Sequence, residues 1–178
     1  MFSSNYDYSI ELFKYQDEAN INSVWTRTAQ ITSQRIDTET KARWHIIWPS
    51  FYHCDFYYGL APINLQIPTQ ITGGIAESIT LSVFKIVFAA NKILKISERP
   101  SSKTADFSLE INRNGAYEEC IVESKGSNSK YSFNSRQLEQ AIRQLIDTSA
   151  KLPQYKVATK FASIVSFQSQ SVRIYEVI

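Results

Sequence analysis

Two hydrophobic periods divide the chain. Up to about residue 65 the pattern is that of strands. Tyr8–Tyr15 is strand-like in composition, Val24–Ile36 alternates in part among Thr, Ile and Gln, and Arg43–Trp48 is a third candidate closed by Pro49. Around Pro62 and Pro68 the chain reads as a connector. From Thr69 the spacing becomes helical. Thr69 or Thr72 caps a segment that runs to about Ile96, with Ile75, Ile79, Val83, Ile86, Val87, Ala90 and Leu94 as its apolar stripe. After a loop over 98–103, Ala105–Ile111 alternates as a strand. Asn112-Arg113-Asn114-Gly115 turns it with the Asn-Gly hairpin signal, and Tyr117–Lys125 returns, ended by Gly126. Asn134 or Ser135 caps a second helix from Arg136 to about Ala150, ahead of Pro153; Val157–Phe167 and Ser171–Val177 read as two final strands. This order predicts an α/β (α+β) fold, a mixed central β-sheet flanked by helices. Residues 1–65 form a β-rich N-terminal region and 66–178 the core.

Composition narrows the function. With 43% apolar and 20% charged residues, the 178-residue chain can bury a real core and is not of the disordered class. The longest apolar stretch, Ile79–Ile96, is broken by Lys85, Asn91, Lys92 and Lys95, which excludes a bilayer span. Met1–Asp7 has neither the basic start nor the apolar run of a secretory signal, and Cys54 and Cys120 make no disulfide framework. A reducing, cytoplasmic location is therefore the expectation. His45, His53, Cys54 and Cys120 lack the paired spacing of a zinc site. Charge is uneven: residues 1–65 hold 5 Lys/Arg against 7 Asp/Glu, and residues 66–178 hold 14 against 10, a balance that suits a polyanionic partner.

Placed on these elements, three acids and a lysine converge. Asp106 begins the first hairpin strand and Glu123 ends the second, so antiparallel pairing brings both to one edge of the sheet. Glu123 and Lys125 are two residues apart and share a face. Glu77 lies in the early turns of the first helix, which can pack across that edge. Such a set suits metal-assisted phosphodiester hydrolysis. Mg²⁺ takes carboxylate oxygens and keeps several waters. It polarises the phosphate and lowers the pKa of a bound water, and a neighbouring ammonium offsets developing charge. The same residues also suit a cross-strand ion pair on a solvated face, but the apolar run Cys120-Ile121-Val122 before Glu123 argues for burial.

Asp106 at a strand start, followed by Glu123-Ser124-Lys125 closing the hairpin partner, resembles the PD-(D/E)xK nuclease superfamily of restriction-like enzymes. The order from residue 69 onward resembles that family's common core, and residues 1–65 lie outside the likeness. The resemblance implies a restriction-endonuclease-like core in a Mg²⁺-dependent endonuclease or exonuclease, with Mn²⁺ able to substitute, acting on DNA rather than RNA. It implies Asp106 and Glu123 as metal ligands, Lys125 as the catalytic lysine, Glu77 as an accessory helix acid, and Gln137 or Gln140 as a glutamine beside the site. Ala105 stands where the motif has proline. A second Glu-x-Lys, Glu39-Thr40-Lys41, lies in a polar, turn-like stretch and is set aside.

Lys103, Lys130 and Arg136, with Lys92, Lys95 and Arg99, flank the proposed site in sequence and could supply phosphate contacts. Seven of the fifteen residues from Trp44 to Tyr58 are aromatic, which suits core packing or a subunit interface before base stacking. The N-terminal region would then serve substrate contact or dimerisation. The alternative function is a nuclease-fold protein without catalysis, binding nucleic acid or serving assembly, or a nuclease subunit of a larger complex.

Overall fold

Buried and exposed positions alternate along β1 (Asn5–Tyr15), where Tyr6, Tyr8, Ile10 and Leu12 all point to one face. The computed structural model describes residues 5–17, 19–32, 34–35, 69–96, 103–127 and 135–178. β1 pairs antiparallel with β2 (Ile21–Thr32), with a register shift between Leu12 and Phe13. The third strand expected at Arg43–Trp48 and the aromatic run to Tyr58 lie outside the described residues.

The remaining elements are α1 (Thr69–Val87), β3 (Asn91–Lys95), β4 (Phe107–Arg113), β5 (Ala116–Ser127), α2 (Ser135–Lys151), a single 3-10 turn at Pro153–Tyr155, β6 (Thr159–Ser166) and β7 (Ser171–Val177). The seven strands among the described residues join one mixed sheet in the order β2-β1-β7-β6-β5-β4-β3. Two pairings are parallel, β1 with β7 and β5 with β6, and the others are antiparallel. The N-terminal hairpin therefore continues the sheet through β7. The fold is α+β, with this sheet and two long helices among the described residues.

One expectation fails: the first helix stops at Val87 rather than near Ile96. The chain turns through Phe88–Ala90, with Ala89 at φ +49°, and re-enters the sheet as β3. Residues 91–95 pair with β4 (Asn91↔Glu110, Leu94↔Ser108, Lys95↔Phe107), and the Asn112 amide donates to the Phe88 carbonyl at 2.9 Å. A five-residue run with two apolar positions fits helix or strand equally, and the free edge of β4 decides it.

The helices cover opposite faces. On β5, Cys120 and Val122 enter the core with α1, and Ile121 enters the core with α2. The α1 face is built from large rings: Phe84 meets Phe161 edge-on at 5.5 Å, and Tyr8 and Phe107 are fully buried beside them. The α2 face uses smaller residues, with Leu138, Ala141, Ile142 and Leu145 against Ala105, Ala162 and Ile164. Small side chains let α2 approach the sheet closely beside the ends of β4 and β5. No helix among the described residues is long and apolar enough to cross a membrane.

Candidate active site

The β4–β5 hairpin sets the site. Its turn has Asn114 at φ +54° and Gly115 at φ +85°, the two left-handed residues that the Asn-Gly sequence provides. The register that follows pairs Phe107 with Val122, so Asp106, just ahead of β4, stands beside Glu123. The Ser124 amide donates to Asp106 Oδ2 at 2.9 Å and fixes that carboxylate against β5. Alternation sends Glu123 and Lys125 to the α2 face and Ser124 to the α1 face. There Thr80 Oγ1 lies 2.8 Å from both the Ser124 and Ser163 hydroxyls, all of them buried.

Glu123 is 1% exposed. Its Oε1 accepts from Lys125 Nζ, and its Oε2 is buried with no hydrogen-bond partner among the described residues. Burial pushes the Glu123 carboxyl up from 4.5 to about 8. The Asp106 charge adds to the rise and Glu77 adds a little more, while Lys125 pulls the other way through its charge and hydrogen bond. The field of three carboxylates thus meets at one buried oxygen pair. Lys125 Nζ also donates to Gln144 Oε1 at 2.6 Å.

The other expected residues divide. Glu77, on α1, is mostly buried and pairs with Lys95 of β3 at 3.4 Å. Gln137 Nε2 donates to the Gly126 carbonyl at 3.0 Å, holding the end of β5. Gln140 is exposed on α2, as is Arg136 in the first turn of that helix; Lys103 is exposed two residues before Ala105. Lys130 and Arg99 lie outside the described residues. Lys92 is engaged with Glu110 at 2.8 Å. Three contributors escape a reading from sequence: Gln144, Thr148 and Lys95 in its pairing with Glu77. For Gln144 a signal was present. It lies two helical turns from Gln137, beside the apolar stripe Leu138-Ala141-Ile142-Leu145.

Among the described residues, no group of three or more His, Cys, Asp or Glu is arranged to hold a metal ion. A Mg²⁺ site needs less, since that cation is held by one or two carboxylates and keeps most of its water. Asp106 and Glu123 are the two carboxylates that would hold such an ion, and Glu123 Oε2, without a hydrogen-bond partner among the described residues, is the oxygen it would satisfy. No family model matches the chain, and neither does any curated protein or solved structure.

Proposed function

We propose that the chain is a metal-dependent nuclease that hydrolyses phosphodiester bonds, with DNA rather than RNA as substrate. The observation that carries this reading is the buried Glu123 carboxyl group, with one oxygen on the Lys125 ammonium and the other without a hydrogen-bond partner among the described residues, next to Asp106. The order α1-β3-β4-β5-α2-β6, with β3, β4 and β5 antiparallel and β6 parallel to β5, supports a restriction-endonuclease-like core.

In this reading Asp106 and Glu123 hold Mg²⁺, with Glu77 adding negative field from α1. The bound ion supplies Lewis-acid polarisation of the phosphate and a lowered pKa for an attacking water. Lys125 lies beside the carboxylates, where its ammonium orients that water and offsets charge gathering on phosphorus. Burial strengthens both effects, because fewer waters screen them. Lys103 and Arg136, exposed at the entry to β4 and the start of α2, would meet the phosphate backbone in this reading.

A second reading has its own support. Lys125 pairs with Glu123 Oε1 without a metal and is itself held by Gln144, as in a buried structural ion pair. That arrangement fits a protein that keeps the fold for nucleic-acid binding or assembly, or a subunit whose partner completes the reaction. Plasmid and single-stranded DNA incubated with the purified chain and Mg²⁺ or Mn²⁺ separate the two. The nuclease reading expects cleavage that Asp106→Asn and Lys125→Ala abolish while both variants still melt cooperatively. It also expects Mn²⁺ at a hundredfold excess over its Kd to stabilise the fold by about 2–3 kcal/mol. Cleavage that survives both substitutions, or no stabilisation at millimolar Mn²⁺, overturns it.

A further inference from the structure

Helix α2 touches the site strands through side chains on one face. Gln144 Oε1 accepts from Lys125 Nζ at 2.6 Å. One turn later, Thr148 is fully buried; its Oγ1 accepts from the Ala105 amide at 2.6 Å and donates to the Gln144 carbonyl at 2.7 Å. Ala105 is the residue before Asp106. Two contacts four residues apart thus reach both halves of the constellation, Lys125 at the end of β5 and the entry to Asp106 ahead of β4. The apolar stripe of α2 glues the helix to the sheet but does not fix its height, because dispersion contacts are individually weak and non-directional. Directional hydrogen bonds in a buried setting do fix it.

We infer that Gln144 and Thr148 are positioning residues, a clamp through which α2 holds the Lys125 ammonium and the Asp106 strand entry in one fixed relation. The inference rests on the reading of Lys125 as the assisting amine. A lysine ammonium has three N–H donors. Glu123 and Gln144 engage two of them, and tetrahedral geometry then sets the direction of the third. Glutamine suits this place because it accepts a hydrogen bond without adding another negative charge beside Glu123. Thr148 bonds to both Ala105 and the Gln144 carbonyl, so the two contacts move together.

The test reads the clamp without relying on catalysis. Full-length chain and variants are treated with an amine-acylating reagent, and modification of Lys125 is followed by mass spectrometry against Lys160 as internal standard. Gln144→Leu removes the acceptor at similar volume, and Lys125 is expected to react about tenfold faster, the loss of one charge-assisted hydrogen bond. Gln144→Glu restores an acceptor and the slow rate. Thr148→Val is expected to speed hydrogen exchange of the Ser124 amide, the donor to Asp106, whereas Thr148→Ser keeps it slow. Where Gln144→Leu does not fold, Gln144→Asn, one methylene too short to reach, takes its place. In DNA cleavage, Gln144→Leu should lower kcat about 10- to 100-fold with KM held, and Gln144→Glu should recover part of it. If Lys125 reacts at the same rate in wild type and Gln144→Leu while wild type cleaves DNA, the clamp is overturned and the nuclease reading stands. If Lys125 is released in Gln144→Leu but no form of the chain cleaves, the clamp stands and the nuclease reading falls.

Discussion

The hairpin of β4 and β5 carries charge at both ends, and the ends behave differently. At the turn, Arg113 pairs with Glu118 at 3.3 Å and Glu176 at 2.9 Å and lies over the Phe161 ring, its centroid 5.7 Å away. There the arginine and Glu118 side chains are about a third exposed, although the Glu118 Oε1 that faces Arg113 is itself buried. At the open end, Lys125 faces Glu123, whose side chain is only 2% exposed, and the Asp106 and Glu77 charges press on the same carboxylate. In both places acids outnumber bases. What separates them is solvent: partly exposed charges tie strands together, whereas burial and the neighbouring carboxylates push the Glu123 carboxyl toward its protonated form.

The largest effect that would sharpen this contrast is on cleavage. Lys125→Ala should lower the DNA-cleavage rate by about 10²- to 10³-fold, the usual loss for one preorganised charge-stabilising group. Arg113→Met should leave the rate unchanged. A matched loss in both variants would break the distinction between the ends.

Next comes the pH dependence of stability. The folded Glu123 pKa of about 8 lies above its ordinary value of 4.5, so between those values the native state holds a proton that the unfolded chain has released. This contribution is fully present below about pH 4.5 and is lost as pH rises through about 8, with a slope no steeper than that of one proton, about 1.4 kcal/mol per pH unit. Urea unfolding without divalent ions should show that fall, and Glu123→Gln should flatten it. Mn²⁺ should oppose the fall, because carboxylates bind it deprotonated, so its stabilising effect should grow with pH.

Smaller effects belong to the turn. Arg113→Met should cost about 1 kcal/mol in urea unfolding, the scale of a solvent-shared ion pair with a ring contact, and should not respond to Mn²⁺. Gly115→Ala should cost about 1–2 kcal/mol. A Cβ there meets open space, so the cost comes only from holding alanine at φ +85°.

The sequence made these two ends legible to different degrees. Asn114-Gly115 fixed the hairpin because its chemistry is local, and strand alternation put Glu123 and Lys125 on one face. The β3 strand was hidden, since Ile86, Val87, Ala90 and Leu94 continue a helical stripe and only the exposed edge of β4 draws the segment out. Gln144 was not singled out for a related reason. On the sequence it is one of several polar positions along α2, and its importance arises only when small residues such as Ala141 and Ala162 let the helix settle against β5 and β6. Of the two glutamines expected as alternatives beside the site, Gln137 bonds the Gly126 carbonyl at the end of β5 and Gln140 is exposed. The Arg43–Trp48 strand and Lys130 lie outside the described residues.

Thr80 sits three residues beyond Glu77, with its hydroxyl lodged between those of Ser124 and Ser163. An oily helix can slip along a sheet by part of a turn with little penalty, but a hydroxyl seated between two others has a single stable height. Thr80 therefore works as an index pin. It tells α1 how far along β5 and β6 to stop, and so sets the level at which Glu77 meets Lys95.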